Sequence, residues 1–181
     1  MPIIYTIFIS ILTVFTTATA VQAQTPVTDE MTQSYYVGCL QDREERISET
    51  AQNELCRCTT TQYKNKMDVE TLQDLAGNDP TKARLALNEL IVKLYTPCME
   101  GPIRSMVYQK CTQDAAQAGE QVCECLADNM AHYVSERAQG ELGTILKNNP
   151  NVYDPFDAIT SSASYEAHEK RVVMECIKKN L

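Results

Sequence analysis

Eight cysteines are the residues best suited to chemistry in this 181-residue chain. Cys39, Cys56, Cys58 and Cys98 make one set, and Cys111, Cys123, Cys125 and Cys176 a second. Each reads Cys, a gap, Cys-x-Cys, a longer gap, Cys. Zinc would call for Cys and His ligands converging tetrahedrally, usually from Cys-x-x-Cys pairs, and no such pair occurs. Covalent haem needs Cys-x-x-Cys-His, which is also absent. A redox-active thiolate needs an electropositive setting, yet Arg57 separates the thiols of one Cys-x-Cys and Glu124 those of the other. Structural disulfides are the chemistry that fits. The two histidines, His132 and His168, have no counterparts in the first set. His132 lies seven residues after Cys125 and shares its helical face, which reads as a packed or half-exposed imidazole rather than a ligand. No metal and no cofactor is expected.

Those cysteines must be positioned by helices, and the flanking residues indicate the same helices twice. Tyr36-Val-Gly-Cys39-Leu-Gln41-Asp42 matches Tyr108-Gln-Lys-Cys111-Thr-Gln113-Asp114, and Leu55-Cys56-Arg-Cys58 matches Val122-Cys123-Glu-Cys125. Leu72, Leu75, Asn78 and Pro80 align with Leu142, Ile145, Asn148 and Pro150. We read a tandem duplication: unit 1 over 24–100 and unit 2 over 101–181, with Glu100–Ser105 as the joint and Gly101-Pro102 as its punctuation. Thr28 or Asp29 caps a first helix through Met31, Tyr35, Cys39 and Arg43. The polar stretch Ser48–Gln52 turns the chain into a second helix, and Ala118-Gly119 does so in unit 2. Asn78-Asp79-Pro80 and Asn148-Asn149-Pro150 each end a helix, because the residue before proline disfavours the α region. Ala83, Leu87, Leu90, Ile91, Leu94 and Cys98 then fall on one stripe, as do Tyr165, His168, Val172, Val173, Cys176 and Ile177. Lys178 and Lys179 sit where the helix dipole favours cations. No alternating window suggests a strand, so the expected fold is all-α, a duplicated, disulfide-stapled helical bundle.

On a helix, residues two apart point about 200° apart, so the thiols of Cys-x-Cys cannot pair with each other. One staples its helix to that of the first Cys, the other to that of the last. Cys39–Cys56 with Cys58–Cys98, and Cys39–Cys58 with Cys56–Cys98, both satisfy this, and unit 2 offers the same two choices. Each bridge contributes ~2–4 kcal/mol by restricting the unfolded chain, which matters for units whose cores are small.

The N-terminus indicates an oxidising destination. Ile3–Ala20 is apolar and uncharged, and the first charged residue is Asp29. Val21-Gln22-Ala23 supplies small residues for signal cleavage before Gln24, with Ala18-Thr19-Ala20 as a second site, and the alternative to cleavage is retention as an anchor. The expected mature chain, 24–181, contains all eight cysteines and no stable membrane anchor, and belongs in the periplasm or outside the cell.

The charge balance, 16 Lys+Arg against 24 Asp+Glu, gives a net charge of −8. That argues against a nucleic-acid backbone binder, which needs a basic face. Asp42, Glu44, Glu45, Glu49 and Glu54 are interleaved with Arg43 and Arg46, the pattern of a solvated helix face. No nucleophile elbow, Walker loop, zinc-protease helix or dinucleotide fingerprint is present, so an enzyme is not expected. One segment has a different character. Pro150 and Cys176 are eight residues further apart than Pro80 and Cys98, and the extra stretch holds Tyr153 and Phe156 in a loop stiffened by Pro155. Phe156 is the one phenylalanine beyond the signal segment. Aromatics on a stiff loop suit a protein partner, and the alternative is that Tyr153 and Phe156 tuck into the groove between the units, since large apolar residues usually find cover.

Val69–Cys98, with Leu72, Leu75, Asp79-Pro80, Ala86, Leu90 and Pro97-Cys98, resembles periplasmic immunity proteins that neutralise cell-wall amidases of type VI secretion. The likeness covers about thirty residues and excludes the Cys-x-Cys doubling; unit 2 ends in Glu175-Cys176 instead. It implies a small exported helical protein with disulfides, and no functional residue is carried over. The expectation is a non-enzymatic protein-binding factor, inhibitor-like or a scaffold at the envelope. The alternative is a carrier holding an apolar small ligand between the two units.

Overall fold

The structure, a computed structural model, describes residues 24–114 and 119–180; the expected signal segment, residues 1–23, lies outside them. Among the described residues eight α-helices follow in order: α1 (Asp29–Gln41), α2 (Glu49–Lys66), α3 (Val69–Ala76), α4 (Pro80–Leu90), α5 (Glu100–Asp114), α6 (Glu120–Asn148), α7 (Pro155–Thr160) and α8 (Ala163–Asn180). A turn of π-helix at Ile91–Tyr95 and a 3₁₀ turn at Thr96–Cys98 link α4 to α5. The fold is all-α, and among the described residues the one β contact is an isolated bridge between Pro26 and Asp68.

Side-chain caps explain most helix starts. Thr28, Ser48 and Asp68 accept hydrogen bonds from the N–H groups of Met31, Ala51 and Thr71, three residues on in each case. Asp79 and Asp154 share one device: each carboxylate takes two N–H groups at the start of its helix, and a proline follows at the first helical position. Gly119 opens α6 at φ 85°, a conformation that favours glycine.

The cysteines pair in one order throughout: Cys39–Cys56, Cys58–Cys98, Cys111–Cys123 and Cys125–Cys176. The first Cys of each set therefore takes the nearer thiol of Cys-x-Cys. In the first half the register is visible at Gln52, one turn before Cys56. Its amide faces α1 and donates to the Cys39 carbonyl at 2.9 Å. Cys58, rotated away, meets Cys98 on the 3₁₀ turn. Four disulfides belong to an oxidising compartment.

The two halves are not identical in outline. α2 stops at Lys66 and the chain restarts as α3, whereas α6 continues to Asn148. The joint also differs from expectation. Gly101 and Pro102 do not punctuate the chain; both lie in the first turn of α5, where a proline removes no needed hydrogen bond, and Pro102 is fully buried. One hydrophobic cluster crosses this boundary, running from Ile47, Leu55, Ile91 and Met99 to Ile103, Met130, Val134 and Leu142. A smaller one gathers Val27, Tyr63, Met67 and Leu94. Among the described residues no helix is long and apolar enough to cross a membrane.

Candidate functional site: a cleft between α1, α4 and the Tyr153 segment

α1 carries no fully buried side chain. It is held by Cys39–Cys56, by Lys64–Asp29 at 2.7 Å, and by Tyr35 stacked on Tyr63 of α2 with ring centroids 4.5 Å apart. Its inward stripe of Tyr35, Gly38, Cys39 and Asp42 forms one wall of a cleft of about 570 Å³. Leu87, Leu90 and Ile91 of α4 and the π turn form the other wall, with Tyr95, and Tyr153, Pro155 and Phe156 close one end. The π turn is held partly by Thr96, whose hydroxyl donates to the Ile91 carbonyl at 3.1 Å. Such insertions re-aim side chains and recur at functional sites. Gly38 faces open space in the cleft, since a Cβ added there would meet nothing within 4 Å.

The polar end of the cleft is organised by Arg46. Its guanidinium donates to both carboxylate oxygens of Glu44, at 2.7 and 2.6 Å, and to Oδ2 of Asp154 at 2.6 Å. The other oxygen of Asp154 caps α7, so one side chain starts that helix and ties it to the loop after α1. The Arg46 hydrogen bond holds the Glu44 carboxyl below its ordinary titration range. At the apolar end, burial pushes the Tyr35 hydroxyl well above its ordinary range, and the neighbouring Tyr95 adds to this. That hydroxyl lies near Thr59 and Tyr95 but makes no hydrogen bond with either. Gln52, on the floor, is taken up by the Glu44 N–H, the Cys39 carbonyl and the Cys56 sulfur. Glu44, Gln52 and Asp154 are thus engaged in structure, while Asp42, Arg43 and the unpartnered Tyr35 hydroxyl line the cleft beside its aromatic and aliphatic surface.

The two aromatics singled out in the sequence part company. Tyr153 stands 75% exposed at the mouth, as a presented anchor would. Phe156 does not: it is 4% exposed and packs into the main cluster with Ile159 and Val152. Of the two readings, display describes Tyr153 and burial describes Phe156, because Asp154 and Pro155 start a helix whose first turn rotates Phe156 inward. All eight cysteines are in disulfides.

Two features escaped sequence reasoning. The Arg46–Asp154 contact joins residues 108 apart in sequence, and no local pattern announces it. His132 and His168 meet in one groove between α6 and α8, although both lay on visible helical stripes. Among the described residues no group of three or more His, Cys, Asp or Glu side chains is arranged to hold a metal ion. Compared with known proteins, the chain matches no family model, no curated protein and no solved structure.

Proposed function

We propose that this chain is an exported, non-enzymatic binding protein, periplasmic or secreted, that takes a segment of a protein partner into the cleft between α1, α4 and Tyr153. The observation that carries the reading is the make-up of that cleft: an exposed tyrosine, next to the Arg46-bound Asp154, at the mouth of a trough with aromatic and aliphatic walls. Tyrosine gives large contact area for little lost side-chain freedom, and such anchors dominate interface energetics. The resemblance of Val69–Cys98 to amidase immunity proteins supports an inhibitor or immunity role over a scaffolding one. Placing a photo-crosslinking phenylalanine analogue at Tyr153 tests this in intact producing cells. A discrete protein adduct that disappears when Gly38→Trp fills the cleft is the expected result. An adduct indifferent to Gly38→Trp, or no adduct, refutes it.

A second reading is favoured by the cleft's position between the halves and by Leu87, Leu90 and Ile91 on its wall. A trough of this volume suits an apolar small ligand. Native mass spectrometry of the purified protein separates the two, because a carrier retains a small-molecule mass that Gly38→Trp removes.

A further inference from the structure

Away from the cleft, α6 and α8 run antiparallel, joined by Cys125–Cys176 near one end and by the Ser164 hydroxyl donating to Glu141 at 2.8 Å near the other. Between them lies a groove of about 390 Å³ lined by His132, Glu136 and Arg137 of α6 and Ser164, His168 and Arg171 of α8. The imidazole of His168 is stacked on the ring of Tyr133, with centroids 4.2 Å apart and planes inclined by 22°. Its Nδ1 lies 2.6 Å from Nη2 of Arg171. A guanidinium nitrogen can only donate, so Nδ1 accepts, and the ring is neutral with its proton on Nε2. The groups that act on this ring agree with that assignment. Burial lowers its proton affinity, Arg171 on its own helix and Arg137 on α6 lower it further, and Glu175 opposes them.

The charges in the groove are not balanced. Neither Arg137 nor Arg171 has a carboxylate within ion-pair distance among the described residues, and the one carboxylate on the lining, Glu136, lies 3.4 Å from His132. Two guanidiniums and two imidazoles thus converge on one surface of a chain whose net charge is −8. The overall field repels anions, so an anion held here is recognised at contact rather than steered from a distance.

We propose that the α6–α8 groove is an oxyanion site, in which Arg137 and Arg171 take a carboxylate or phosphate group by charge-assisted, fork-type hydrogen bonds and His168 joins them as a third donor. His168 donates through its Nε2–H, and a negative charge beside the ring offsets both arginines, so protonation at Nδ1 becomes easier as the anion arrives and frees the Arg171 guanidinium to turn to it. Binding is therefore tighter on the acid side of the imidazole titration. This site is separate from the cleft and stands whether or not the cleft binds a partner.

The chain contains two histidines, so its imidazole Cε1–Hε1 NMR spectrum holds two signals, and His132→Gln assigns them. Inorganic phosphate and sodium acetate are titrated separately, with ionic strength held constant by sodium chloride. The expected result is a saturable movement of the His168 signal with a raised titration midpoint. Arg137→Gln with Arg171→Gln should weaken it at least tenfold, and Arg57→Gln, at an exposed arginine elsewhere, should leave it unchanged. Saturation by phosphate identifies a phosphoryl source and saturation by acetate a carboxyl one. Movement that stays linear in both anions, or saturation that survives the double substitution, overturns the proposal.

Discussion

Deleting disulfides in pairs separates loop closure from packing in this molecule. Cys111–Cys123 spans 12 residues and Cys125–Cys176 spans 51. In each, one partner is fully buried, Cys123 at 2% and Cys176 at 1% exposure, while Cys111 and Cys125 are half-buried. Replacing both members of a pair by alanine removes similar packing in the two variants, and the difference then lies in the unfolded chain. Closure entropy grows as (3/2)RT ln n, so the longer loop is worth about 1.3 kcal/mol more than the shorter, on top of a shared loss of roughly 3 kcal/mol. At about 2–4 °C per kcal/mol for a domain of this size, the Cys125→Ala/Cys176→Ala variant should melt about 3–5 °C below Cys111→Ala/Cys123→Ala. Far-UV circular dichroism under non-reducing conditions reads this directly, and thiol titration of the denatured, unreduced parent should find no free thiol. A short-loop variant that melts at or below the long-loop one refutes the entropic reasoning.

Arg46→Met removes the link between Glu44 and Asp154, and because Arg46 is 36% exposed the loss should be about 1 kcal/mol at neutral pH. The folded Glu44 carboxyl titrates below its unfolded value, so its share of that stability is present above about pH 4.3 and is lost as the pH falls through the folded value. Urea midpoints of parent and variant should therefore converge at acid pH. Phe156→Ala should cost about 3–5 kcal/mol in urea unfolding, whereas exposed Tyr153→Ala should stay within about 0.5 kcal/mol, and equal costs would contradict their placement. Gly140 and Gly143 are exposed within α6 and a Cβ meets nothing at either, so Gly→Ala at each should raise stability by about 0.5–1 kcal/mol, read as a higher Tm.

Much of this architecture is written locally. Caps, prolines and helical stripes are short-range signals, so Thr28, Ser48 and Gly119 mark helix starts that the sequence already indicates. The Cys-x-Cys spacing likewise forces each thiol toward a different neighbour. Which neighbour depends on how α2 is rotated against α1, a tertiary fact visible at Gln52 and Cys39. The misreadings have the same origin. Gly101-Pro102 carries turn residues, yet the first turn of a helix tolerates both, and burial of Pro102 decided the matter. Whether Phe156 is displayed or buried was open in the sequence, and Pro155, by opening a helix, turns it inward. The cleft and the histidine groove depend on pairs of helices distant in sequence, which periodicity alone does not assemble.

The disulfide map has a consequence for resistance to cutting. Treated as closed rings of backbone, the four bridges enclose 39–56, 58–98, 111–123 and 125–176. The connections 42–48, 67–68, 77–79, 149–154 and 161–162 all fall inside a ring. The stretches between rings are Arg57 in mid-α2, Glu124 in α6, and 99–110, which is α5 from Glu100 onward. A protease that clips any one of those connections therefore leaves a single covalent molecule, with every fragment still tethered. Between the first ring and the last, the positions where one cut would divide it are wound into helix or, at Met99, wholly buried. In an environment rich in secreted proteases, damage to the exposed connections is survivable, and the places where it would not be are the ones a protease reaches last.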